Sequence, residues 1–213
     1  MITKKIELLI LFSPILIRPT SATADITKPK NVGQRVFSAK NYFKVPDGTS
    51  VSPFLNSKDS LSDLPFDLLN GFSIAAGLVE ANSKSKIHLM PHVLQVTYVT
   101  KGKLNCKMKE PSENSPKEYS LEEGQAILTP VNTFFQIENG SNAPAQVLYI
   151  VSPAYVFDAD SSGVLYDDSV TVNEDWVDLE RKKWKITSLG YKLPSEKDRK
   201  LALTRISKKK NNK

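Results

Sequence analysis

From Phe72 to Val151 the chain divides into short runs in which apolar and polar residues alternate. They are 72–80, 95–100, 103–109, 125–129, 133–138 and 146–151, with turn-rich pieces such as 110–117 between them. A period of two is the signature of half-buried strands, and it leaves no stretch in this region for a helix period. Many short strands joined by turns predict an antiparallel sandwich or small barrel. With 213 residues, 40% of them hydrophobic and 24% charged, the chain can hold one sizeable core plus extensions.

The run with the most chemistry is Ser85 to Gly102, SKIHLMPHVLQVTYVTKG, which holds both histidines of the chain, His88 and His92. In a regular strand His88, Met90 and His92 line one face. Pro91 interrupts that regularity, because proline cannot donate to a ladder and sits at edges or bulges. After it Gln95, Thr97 and Val99 share one side and Val96, Tyr98 and Thr100 the other, before a turn at Lys101-Gly102-Lys103.

This stretch resembles the first motif of the cupin superfamily: Gly, five residues, His-x-His, three or four residues, Glu, six residues, Gly. Anchored on Gly102, the motif puts its histidines on His88 and Met90, its glutamate on Gln95 and its leading glycine on Asn82. The second cupin motif resembles Gly124 to Asn139, GQAILTPVNTFFQIEN. Gly124, Pro130 and Asn139 are in place, Asn132 stands at its second glycine and Phe135 at its metal-ligand histidine. The resemblance spans residues 66–157 and implies an all-β fold: a cupin-like antiparallel jelly-roll barrel with an N-terminal arm and a short C-terminal helix. It also implies a homodimer, with the arm donating a strand.

Three of the four family metal positions are altered, and only His88 is retained. Transition metals normally need three or more converging N, O or S side chains. Phe135 and Ile137 share the face opposite to Phe134, Gln136 and Glu138, which puts Phe135 inside, where a ring fills space and ligates nothing. The expectation is therefore a barrel without the standard metal site that binds a small molecule. His88, His92 and Gln95 supply its polar contacts, while Met90, Phe135, Tyr98 and Tyr149 supply apolar walls. No cofactor is expected. The alternative is a divalent metal ion on His88, His92 and Gln95, serving an oxygenase, isomerase or decarboxylase. A third reading is a structural or interaction protein with a filled barrel.

Residues 1–24 read as a secretory signal peptide: Lys4 and Lys5, an apolar run from Leu8 to Ile17, and Ala22-Thr23-Ala24 before the cut. The run is too short to span a bilayer, so the expectation is a secreted or periplasmic protein without a stable membrane span. Residues 25–65 read as an arm carrying short strands such as 35–38, and 62–70 as a helical turn ended by Gly71. Residues 158–191 read as an acidic, solvated loop and then a helix. Asn173 would cap that helix, and Trp176, Leu179 and Trp184 would pack it on the barrel. Asp158, Asp160, Asp167 and Asp168 lack the EF-hand spacing.

Residues 192–213 carry nine basic residues against two acidic ones, net +7, and read as a disordered tail. The body, 25–191, is then slightly acidic, so the basic pI belongs to the tail. Lacking interleaved aromatics, the tail gives no signature of nucleic-acid binding. Cys106, the only cysteine, alternates with polar neighbours and reads as a buried, inert thiol. No Gly-x-Ser-x-Gly elbow, Cys-His pairing motif or phosphate-cradling glycine loop is present. Asn139-Gly140-Ser141 fits a glycosylation sequon, but its place in the second motif gives it a structural reason.

Overall fold

A computed structural model of the chain describes residues 38–39, 41–55, 58–59 and 71–211. The signal-peptide reading of 1–24, the expected strand at 35–38 except for Ser38, most of the arm and the turn at 62–70 lie outside these residues. The strands in order are β1 (Phe43–Lys44), β2 (Ser50–Leu55), β3 (Lys58–Asp59), β4 (Ser73–Val79), β5 (Ser83–Lys84), β6 (Ile87–Leu89), β7 (Leu94–Lys101) and β8 (Lys103–Lys109). They continue as β9 (Lys117–Glu122), β10 (Ala126–Thr129), β11 (Phe134–Asn139), β12 (Ala145–Ser152), β13 (Val156–Asp160), β14 (Gly163–Asp167) and β15 (Val170–Val172). Two helices follow, α1 (Trp176–Arg181) and α2 (Glu196–Asn211), separated by a 3-10 turn at Ile186–Leu189.

These strands form two facing sheets. One runs β1-β2-β4-β12-β7-β10; the other runs β15-β6-β11-β8-β9, with β5 also paired to β11. Every pairing within the two sheets is antiparallel, and the connections cross between sheets as in a jelly roll. The alternation in the sequence becomes the core directly. Ala145, Val147, Tyr149 and Val151 of β12 point inward with Val99, Leu104, Cys106, Met108, Phe135 and Ile137. Burial holds the Cys106 thiol up to about 12, which keeps it protonated and unreactive.

The glycine positions of the two motifs also acquire a physical meaning here. Asn82 and Asn132 have φ of 51° and 60°, in the left-handed region, alongside Gly102 at 86° and Gly124 at 85°. Asparagine is the non-glycine residue that tolerates this conformation best, so the turns survive without the glycines. Asn139 fills the next corner. It is wholly buried, its amide donates to Val79 O and Ala143 O, and its oxygen accepts from the Ser141 amide and hydroxyl.

The C-terminal third differs from expectation in three ways. The acidic segment after Pro153 is the hairpin β13-β14, not a solvated loop, and Asp158 and Asp168 are each 0% exposed. The basic tail is largely ordered as α2, which buries Ala202 and Ile206, four residues apart, against Val156 and Tyr166. The two corrections have one cause: the acids and bases are partners. Arg199 grips Asp168 through Nε at 2.9 Å and Nη2 at 3.1 Å, while Arg205 (2.6 Å) and Lys209 (2.9 Å) meet Asp158. The third difference is a shift of the α1 cap from Asn173 to Asp175, which accepts from the Asp178 amide. Leu179, Trp176 and Trp184 do pack on the outer face of the second sheet, beside Phe134.

Candidate functional site

A cavity of about 100 Å³ lies between the sheets, at the end of the barrel closed by the β1–β2 turn and the start of β15. His88, on β6, pairs across the sheet with Phe135 on β11, and both side chains enter the cavity; they are 6% and 1% exposed. Their rings meet edge to face with centroids 5.4 Å apart. Met90, Gln95 and Tyr149 line the same space. Tyr149 lies over Gly77 of β4, where an added Cβ would stand 2.3 Å from the ring. That glycine leaves the phenol room to reach the cavity.

Five of the seven expected site residues thus come together, and two do not. His92 turns out of the barrel: its Nε2 donates to Pro194 O at 2.7 Å and its Nδ1 lies 3.2 Å from Glu196 Oε1. The reason is Pro91, which ends β6 and sends His92 into the bend before β7 rather than along the strand. Tyr98 points outward and is 37% exposed, because the register of β7 puts Gln95, Thr97 and Val99 inside. A metal site built jointly on His88, His92 and Gln95 is therefore not formed.

The four positions that the resemblance marks for ligands, His88, Met90, Gln95 and Phe135, supply one imidazole, one thioether, one amide and one phenyl ring. The Gln95 amide is committed to Thr97 Oγ1 at 3.0 Å. Among the described residues no group of three or more His, Cys, Asp or Glu side chains converges. This donor set does not fit a transition metal, which asks for three or more converging N, O or S ligands.

Sequence reading did not place Asp47, Tyr155 or Asp167 at this cavity. Asp47, in the turn after β1, accepts from the Thr49 amide and hydroxyl (2.8 Å each) and lies 3.7 Å from His88 Nδ1. Asp167, at the end of β14, accepts from Tyr155 OH and from the Ser169 amide at 2.9 Å. Burial raises the Asp167 carboxyl to about 7, and burial also keeps the Tyr155 phenol protonated, well above its ordinary value. His88 Nδ1 donates to Lys86 O at 3.2 Å, and Nε2, an acceptor in the neutral ring, has no partner among the described residues. The signal for Asp167 was the doublet Asp167-Asp168, whose members face opposite ways on an extended chain.

No protein-family model matches the sequence, and no curated protein does. Among solved structures the chain is similar to the cupin domain of Schizosaccharomyces pombe Cnp3, with TM-score 0.41 and 10% identity, over 54% of this chain and 69% of that one. It is similar to the cupin domain of Drosophila melanogaster CENP-C (TM-score 0.45, 15% identity, 63% and 82% covered) and to KdgF from a Halomonas species (0.44, 13%, 56% and 94%). The strands form two facing antiparallel sheets connected as in a jelly roll, with His88 and Phe135 paired across β6 and β11.

Proposed function

We propose that the barrel binds a small organic molecule directly through its side chains, without a metal. The observation that carries this reading is the cavity itself: an unfilled space of about 100 Å³ with mostly apolar walls and a few inward polar groups, His88, Gln95, Asp47 and Asp167. An engineered apolar cavity of roughly 150 Å³ takes up benzene, so this one suits a ligand of about five non-hydrogen atoms. A filled barrel would leave no such space.

The test is elemental analysis of the full chain purified without chelators, beside its His88→Ala variant. Metal well below one equivalent in both agrees with the reading. Stoichiometric Zn, Fe, Mn, Ni or Cu that disappears in the variant refutes it and makes the metal-dependent enzyme the leading alternative.

The proposal extends to assembly and location. The outward face of the first sheet carries Ile74, Ala76, Val96, Tyr98, Leu128, Leu148 and Ile150, with no charge in its two central rows, and Leu128 is 52% exposed. A second copy of the chain is the occupant that matches such a face to itself, by an isologous contact. Light scattering should show a dimer that Leu128→Arg converts to monomer. The leader reading of 1–24 makes the protein exported; an intact Met1 on chain recovered from a secreting host would refute that.

A further inference from the structure

Four aspartates turn inward near the joint of barrel and hairpin, and their partners divide them into two kinds. Asp158 and Asp168 are fully buried and fully compensated, the first by Arg205 and Lys209, the second by Arg199. Asp47 and Asp167 line the cavity without a lysine or arginine partner: Thr49 donates to the first, which also lies 3.7 Å from His88 Nδ1, and Tyr155 and Ser169 donate to the second. No lysine or arginine is among the described residues that line it. Ionised carboxylates withdrawn from water are costly unless a positive charge meets them, and the protein supplies one at each of the other two sites.

Beside the hydroxyls of Ser73, Ser169 and Thr171, His88 and Gln95 add acceptors to the cavity. His88, more than nine-tenths buried, offers Nε2 as an acceptor when its ring is neutral; Gln95, equally buried, donates its amide nitrogen to Thr97 and so leaves its oxygen. Tyr155 spends its hydroxyl proton on Asp167. Two carboxylates beside these acceptors favour a ligand that brings N–H groups. The rings of Phe135, Tyr149 and Tyr155 complete the wall, and aromatic surface attracts cations in a desolvated site.

Building on the binding reading above, we propose that the cavity selects a small organic cation, an alkylammonium or guanidinium, with Asp167 and Asp47 as its counter-charges. The ammonium would replace the missing basic residue, and its alkyl part would occupy the apolar wall. Burial chiefly governs the ionisation of Asp167; Tyr155 and the Ser169 amide oppose that effect by donating to the carboxylate, and Asp168, which Arg199 balances, and Asp47 add to it, while His88 of β6 lines the same cavity. Cation binding should therefore strengthen as pH rises through about 7, where the carboxyl gives up its proton.

The probes are tert-butylammonium and its neutral counterpart tert-butanol, titrated into the full chain and followed by saturation-transfer NMR on the ligand methyl signal. Tert-butylammonium should bind at pH 8, at least about tenfold more tightly than tert-butanol, and lose that advantage in Asp167→Asn. Asp47→Asn should weaken the cation without affecting tert-butanol. Equal binding of the two probes, or a preference that survives Asp167→Asn, overturns the cation inference and leaves the binding reading standing. Binding of neither probe to protein shown folded by its NMR spectrum overturns both.

Discussion

Replacing Asp167 with Asn tests the energetics of the cavity without a ligand. Burial lifts the carboxyl from 3.8 to about 7, a rise of about 3 pH units. At about 1.4 kcal/mol per unit, the ionised form weighs on the fold by on the order of 4 kcal/mol. The folded value lies above the unfolded one, so between about pH 4 and pH 7 the folded chain holds a proton that the unfolded chain has released. That contribution to stability is complete below pH 4 and is lost as pH rises through 7. Asn keeps the oxygen that accepts from Tyr155 and Ser169 but cannot ionise. Urea denaturation from pH 4 to pH 9 should show Asp167→Asn close to wild type at pH 4 and more stable by several kcal/mol at pH 8. Other groups titrate in the same window, so the readout is the difference between the two curves. A difference that does not change with pH, or an Asn variant less stable at pH 8, would refute the reasoning.

Three further substitutions probe the frame around the cavity. Arg199→Ala leaves the fully buried Asp168 without its charge partner, and denaturant unfolding should show a loss of about 3–5 kcal/mol, most of it recovered in Arg199→Ala with Asp168→Asn. Gly77→Ala drives a methyl into the Tyr149 ring and should cost about 1–3 kcal/mol in thermal unfolding, with Tyr149 displaced from the cavity. Asn132→Gly should be neutral or stabilising, whereas Asn132→Val, forced to φ of 60°, should cost about 1–2 kcal/mol; equal stability of the two would refute the turn argument.

The barrel was legible because its information is local. Alternation picked out β4, β7, β8, β10, β11 and β12 to within a residue or two, and motif spacing put Gly102, Gly124, Asn82 and Asn132 at the turns that hold positive φ. The same alternation put Phe135 and Gln95 inside and Val96 outside. It also contained the answer for Tyr98, which shares its side with Val96. Taking Tyr98 as a cavity wall went against the register already in view.

What was not legible depends on contacts distant in sequence. An acidic stretch and a basic stretch each look solvated when read alone, since nothing local pairs Asp168 with Arg199 or Asp158 with Arg205 and Lys209. Once paired, they explain the site. Adjacent residues of an extended chain point to opposite sides, so anchoring Asp168 against α2 turns Asp167 toward the barrel. The start of α2 also holds His92 through Pro194 O and Glu196, away from His88. The basic tail thus acts twice on the cavity: it takes one histidine out of reach and turns one uncompensated carboxylate in. That exchange gives the cavity a carboxylate in place of a second imidazole.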